Sequence, residues 1–207
     1  MSKNKIFQKI MPCISDISET GGERYYDLYS RLLKDRIIML IGEIEENLAT
    51  TITMQLLILN ADSKDKPIYM YIHSPGGAIY DALMIIDTMA FIQAPIYTVA
   101  TGFVASAAAV ILCCGTKGYR TALPNARIMI HQPHGKIHGQ ATDIEIQTKE
   151  ILFIKESITQ LMSERCGMPK KQMYQLMERD NYLSAIESQK IGLIDSVASG
   201  SFDKIKS

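Results

Sequence analysis

Ser106 is the one serine in TGFVASAAAVILCCG, residues 101–115, a stretch without a charged side chain. A serine hydroxyl is a weak nucleophile until a base takes its proton, and imidazole is a common base. Two histidines end apolar runs: His73 in YIHSPGG and His131 in RIMIHQP. His73 abuts a Pro-Gly-Gly turn and reads as readily as a structural loop residue, so His131 is favoured, although spacing alone leaves both open. A carboxylate would then have to orient the imidazole and stabilise its charged form. The chain has eleven aspartates, and periodicity selects none of them. For a developing oxyanion the candidate donors are the backbone N–H groups of Gly77 and of Ala107, since glycine allows close approach and a helix start leaves N–H groups free.

Two other chemistries fit less well. The positions two before and two after Ser106 are Val104 and Ala108, so the G-x-S-x-G turn of the lipases is absent. The series His131-x-x-His134-x-x-x-His138 contains Pro133 and Gly135, which break the helix that would align three rings on a metal. No metal site is expected.

The elements that must position Ser106 follow from the same stretch. From Phe91 to Gly115 there is no Asp, Glu, Lys or Arg, formally enough for the roughly 20 residues of a membrane span. Pro95 and Thr101-Gly102 interrupt it, leaving a β-branched strand at 96–100 and an alanine-rich helix at 105–114. Such a split run suits a parallel sheet covered by helices, not a bilayer. Further strands are predicted at 36–41, 68–72 and 127–130, with a strand-like Leu193-Ile194. Helices are predicted at 22–35, 43–60, 79–92 and 141–166, with a shorter one from Pro169 to about Asp180. Ser184 to Glu187 forms a capping box for a last helix. Gly76-Gly77, Ser106 and His131 thus fall after the C-terminal ends of successive strands, the edge where open α/β sheets bind ligands.

With 207 residues, 47% of them hydrophobic, and no net charge, the chain fits one α/β domain and gives no reason to expect a nucleic-acid partner. Cys13, Cys113, Cys114 and Cys166 form no CxxC pair or disulfide framework, and the N-terminus lacks a secretory h-region, so a cytoplasmic setting is expected. The helix at 141–166 would run about 39 Å at 1.5 Å per residue, long enough to pack on another subunit.

Six blocks carry a resemblance: GERYYDLYSRLLKDRIIML, YIHSPGGAIYDALMIIDTM, GFVASAAA, ALPNARIMIHQP, GQATDIEI and ERDNYLSAIESQKIGLID. In this order, from about Met11 to Ser199, the chain resembles the proteolytic subunit of the caseinolytic (Clp) proteases, ClpP. The resemblance implies a ClpP/crotonase-like fold, with parallel sheet layers, helices and a protruding long-helix handle at about 135–166. It implies a flexible or processed N-terminal segment with an axial loop over 1–20, one protease domain over 21–199, and a tail over 200–207. It also implies two stacked seven-membered rings of this chain or a paralogue, fed with unfolded polypeptide by a Clp-type AAA+ ATPase. ATP would be used by that partner, and no cofactor is expected in this chain.

Residue by residue, the resemblance assigns Ser106 as nucleophile, His131 as base and Asp180 as acid of a serine endopeptidase, with Gly77 and Ala107 as oxyanion donors. Arg179 falls at a ring-to-ring ion-pairing position. Tyr71 and Phe91 supply aromatic character near the pocket for the ATPase loops, where Thr121 replaces a usual aromatic. Phe103-Val104 and Ala107-Ala108 stand where the family has Gln-Ala and Met-Gly, which reshapes the pocket beside Ser106. His73 replaces an Asn and Lys136 a Gly. These departures fit a divergent paralogue in a mixed ring, and the alternative to an active peptidase is a ring subunit acting mainly as scaffold or docking partner. An acyl-CoA enzyme on the same fold would need no Ser-His pair, and nothing in the sequence points to CoA.

Overall fold

The computed structural model of the protein describes residues 13–17, 23–135 and 138–198. Strands β1 (Cys13–Ile17) and β2 (Glu23–Asp27) form an antiparallel pair, and helix α1 (Leu28–Lys34) follows directly. The helix predicted over 22–35 is therefore helical only in its second half. Tyr25 and Tyr26 favour extended backbone, and Asp27 starts the helix by accepting from the Ser30 amide at 2.9 Å. Of the expected N-terminal segment over 1–20, only 13–17 is among the described residues; Lys136 and the expected tail over 200–207 lie outside them.

Strands β3 (Ile37–Ile41), β4 (Ile68–Ser74), β5 (Ile96–Ala105), β6 (Arg120–Ala122), β7 (Arg127–Ile130), β8 (Asn181–Ser184) and β9 (Ser196–Val197) join in one sheet. The path β3-β4-β5-β6-β9 is parallel. Strand β5 belongs to two layers: Thr98 to Ala100 pair with β6, and Phe103 to Ala105 pair with β7, which turns antiparallel onto β8. The last predicted strand is displaced, since Leu193 and Ile194 pack in the core and pairing begins at Ser196.

The break predicted at Thr101-Gly102 is a bulge, and β5 continues past it. Ile72 pairs with Ala100 and Ser74 with Val104, so two steps of β4 face four of β5. Gly102 takes φ +57°, and a Cβ there would sit 2.7 Å from His73 Nδ1. The freed amide of Phe103 donates to that same nitrogen at 3.1 Å. The bulge redirects the strand toward β7 and so aims its last residues at the site.

Helix α2 (Glu46–Asp62) and helix α3 (Ile79–Phe91) cross between the first parallel strands. Helix α4 (Ala107–Cys113) has all seven residues buried, as expected for a helix that is apolar all round. Helix α5 (Ala141–Cys166) divides in two. Its first ten residues are exposed, including Ile144 and Ile146, whereas Ile154, Ile158, Met162 and Cys166 form a buried stripe. Helix α6 (Lys170–Leu176) is shorter than predicted, and helix α7 (Ala185–Lys190) carries the predicted capping box at Ser184 and Glu187. Among the described residues no helix is long and apolar enough to cross a membrane.

Candidate active site

Ser106 occupies the sharp turn between β5 and α4 with φ 55° and ψ −126°, a backbone state that L-residues rarely adopt. The turn is over-determined by its surroundings. The Ser106 amide donates to Met129 O at 2.8 Å, and its carbonyl accepts from Ala109 at 2.9 Å. Gly76 closes on it from the neighbouring strand end: at φ +94°, a Cβ on Gly76 would lie 2.7 Å from Ser106 Cβ and 2.8 Å from Ala105 O. This is the strained strand-to-helix presentation of a nucleophile elbow, reached without the flanking glycines of that motif.

His131 follows β7, the strand paired with the end of β5, and its Nε2 lies 2.8 Å from Ser106 Oγ. Its Nδ1 lies 2.9 Å from Asp180 Oδ1. A carboxylate accepts only, so Nδ1 carries the proton and Nε2 is left to accept from the serine hydroxyl. His73, the other histidine at a strand end, accepts from Phe103 N through Nδ1 and is spent on the bulge. The His131 side chain is 13% exposed and that of Asp180 57%. His131 is sheltered, while Asp180 faces solvent and depends on its backbone for position.

That backbone is tied to the segment of His131 by Gln132. Its amide N–H donates to Met177 O at 2.7 Å, and its side-chain Nε2 donates to Glu178 O at 2.9 Å. Asn181 Nδ2 donates to Leu176 O at 3.1 Å, and Ile130 pairs with Asn181 across β7 and β8. Replacing Gln132 by Glu removes the side-chain donor at nearly constant shape. It is expected to lower kcat roughly 10- to 100-fold with little change in KM or melting temperature. Equal losses in kcat and stability would refute a positioning role. Sequence reading passed over Gln132, and its adjacency to His131 was the only signal.

A cavity of about 520 Å³ opens beside Ser106 and is lined by Gly77, Ala107, His131 and His134 among others. Gly77 lies against Ile44, where Ile44 N donates to Gly76 O and Ala78 N to Ile44 O, both at 2.8 Å. A Cβ at Gly77 would overlap the Ile44 backbone. Neither the Gly77 nor the Ala107 amide donates to a backbone carbonyl among the described residues. Tyr80, just beyond, donates to Glu150 Oε1 at 2.7 Å and joins α3 to α5; that hydrogen bond raises the phenol's pKa.

Residues 20–201 match the family model described as Clp protease. The chain belongs to the Clp protease family. Its mostly parallel sheet with helices is the ClpP/crotonase-like fold, and membership brings the serine peptidase class with it. Clp proteases as a family form ring oligomers that work with Clp ATPases. In this Clp protease chain, exposed Arg179 lines a second cavity of about 670 Å³ together with Glu178, Asp180 and His134. Tyr71 lines a third, of about 360 Å³, with Tyr69, Tyr97, Tyr119 and Thr121. Tyr97 and Tyr119 stack there with centroids 4.0 Å apart. Phe91, at the end of α3, is 83% exposed and is not among the residues lining that cavity. His131 and His134 meet ring to ring at 5.0 Å, and no group of three metal-binding side chains occurs among the described residues.

Proposed function

We propose that this Clp protease chain is an active serine endopeptidase whose nucleophile is Ser106. The observation that carries the reading is the continuous series Ser106 Oγ, His131 Nε2, His131 Nδ1 and Asp180 Oδ1 at 2.8 and 2.9 Å beside a substrate-sized cavity. His131 Nε2 takes the hydroxyl proton as Oγ bonds to the scissile carbonyl carbon, and the carbonyl π pair moves to oxygen. The amides of Gly77 and Ala107 donate to that oxyanion. As the intermediate collapses, the C–N bond breaks and His131 returns its proton to the leaving amine. Water, deprotonated by the same imidazole, then releases the acyl group from Ser106. Asp180 holds the tautomer throughout.

Unfolded polypeptide is the proposed substrate, delivered by a Clp-type AAA+ unfoldase that spends the ATP. Tyr71 and its cavity, together with the exposed Phe91, are the proposed docking region. The exposed half of α5 and Arg179 are the proposed contacts between two stacked seven-membered rings, made of this chain alone or with a paralogue. The apolar Ile144 and Ile146 on that half support the assignment, because they are 40% and 60% exposed among the described residues.

A fluorophosphonate probe tests the reading. Label on Ser106 by peptide mass spectrometry, absent in Ser106→Ala, is the expected result. Absence of label from assembled wild-type rings would overturn it in favour of a scaffold subunit.

A further inference from the structure

The cavity beside Ser106 has one feature that triad chemistry does not use. Ser106, His131 and His134 line one part of it, Ile79, Ala107, Val110, Met129 and Ile158 give another part an apolar wall, and Glu43 lines it too. Among the described residues no Lys or Arg lines the cavity, and Glu43 is the sole carboxylate there. The residue is exposed, and among the described residues it makes neither an ion pair nor a side-chain hydrogen bond.

Its position is fixed all the same. Gly42 N donates to His73 O at 3.0 Å, and Ile44 N donates to Gly76 O at 2.8 Å. Glu43 is therefore pinned from both sides to the segment that carries Gly77. A carboxylate held this way beside an apolar stretch of wall, with no cation paired to it among the described residues, is complementary to one kind of ligand group. That group has an aliphatic stem to cover the apolar wall and a positive end to meet the acid.

We propose that this cavity is a subsite for a long basic side chain, lysine or arginine, on the residue that supplies the scissile carbonyl, and that Glu43 selects it. The proposal rests on Ser106 being the nucleophile, because that serine fixes which substrate residue faces the cavity. Ala107 contributes by being small, leaving room beside the nucleophile for the stem. The selection is electrostatic at a partly open wall, so it weakens as salt rises.

The test compares two peptides that differ only at that residue, lysine in one and norleucine in the other. Binding is measured by fluorescence polarisation on full-length Ser106→Ala protein in its assembled form. The lysine peptide is expected to bind about tenfold tighter at low salt, as for a charge-assisted contact at a half-open site. Glu43→Gln in the same background is expected to bring the ratio to about one. Reading the ratio within each protein cancels any general loss from the substitution. Equal binding of the two peptides, or a lysine preference that survives Glu43→Gln, overturns the subsite. Fluorophosphonate labelling of the wild-type chain separates the two claims. Label together with equal binding removes the subsite and keeps the nucleophile; a Glu43-dependent lysine preference without label keeps the basic pocket and removes the peptidase.

Discussion

Ser106→Ala and His131→Ala are each expected to lower kcat on a short fluorogenic peptide by about 10⁶-fold, and the double substitution by no more than either alone. The reason lies in how the two groups share one proton. With Nε2 at 2.8 Å from Oγ, the imidazole is useful only while there is a hydroxyl to deprotonate, and the hydroxyl is reactive only while the imidazole accepts. Removing either ends the covalent route, so removing the second costs nothing more. About 10⁶-fold corresponds to roughly 8 kcal/mol of lost transition-state stabilisation. What is left is binding plus the proposed oxyanion donors, the Gly77 and Ala107 amides. Asp180→Ala should cost less, roughly 10⁴-fold, because the acid acts through the base. Single-turnover kinetics on the assembled protein check all four variants. Losses that multiply in the double variant would mean that the two residues act independently and that the proposed mechanism is wrong.

How much of this was legible in the sequence depends on how local each signal is. The strand cores around 68–72 and 96–100 are rich in β-branched and aromatic residues, that at 127–130 is the short apolar run Ile128-Met129-Ile130 after Arg127, and all three appear as read. The long helix at 141–166 was bounded correctly at both ends, since Gly167 takes the left-handed state that stops it. Strands β6 and β8, of three and four residues, have no periodicity to read and exist because β5 and β7 offer pairing partners. Asp180 is the same case at the site. Nothing within its own segment distinguishes it from ten other aspartates, and it comes to His131 only through the antiparallel register that sets Ile130 against Asn181. The resemblance supplied it; the residues alone did not. Ser106 was placed just past a strand and in the first turn of a helix. It sits instead as the cap between them with positive φ, a strain that Gly76 accommodates from another strand end. Glu43 carried no signal at all, because one of three glutamates at the start of the helix predicted over 43–60 reads as a solvated charge.

Asp195→Ala is expected to destabilise the protein by about 3–5 kcal/mol, the usual cost of leaving a buried charge without its partner. The stranded charge would be Arg120, whose side chain is 1% exposed. Its Nε and a terminal nitrogen grip the two Asp195 oxygens at 2.8 and 2.6 Å, while its other terminal nitrogen donates to Cys113 O at 3.2 Å and Arg165 O at 3.0 Å. Those carbonyls lie at the C-terminal ends of α4 and α5, where no helical donor is available. The pair thus anchors the far end of the helix whose other end presents Ser106. Burial alone would raise the Asp195 pKa, but the Arg120 side-chain and backbone hydrogen bonds, its charge, and the Gly118 amide pull it down from 3.8 to about 2. A lowered carboxylate contributes stability that is fully present above its unfolded value and is lost as pH falls through the folded one. The gap in urea stability between wild type and Asp195→Asn should therefore hold from neutral pH down to about 4 and then shrink toward about 2. Changing both partners to Leu should cost less than the two single changes summed, because no charge is then left unpaired in the core. If loss of the pair also lets α4 shift, fluorophosphonate labelling of Ser106 should slow in Asp195→Asn at neutral pH, under conditions where the variant is still folded. Unchanged labelling would limit the pair to stability and leave the nucleophile turn held by Met129 and Gly76 alone.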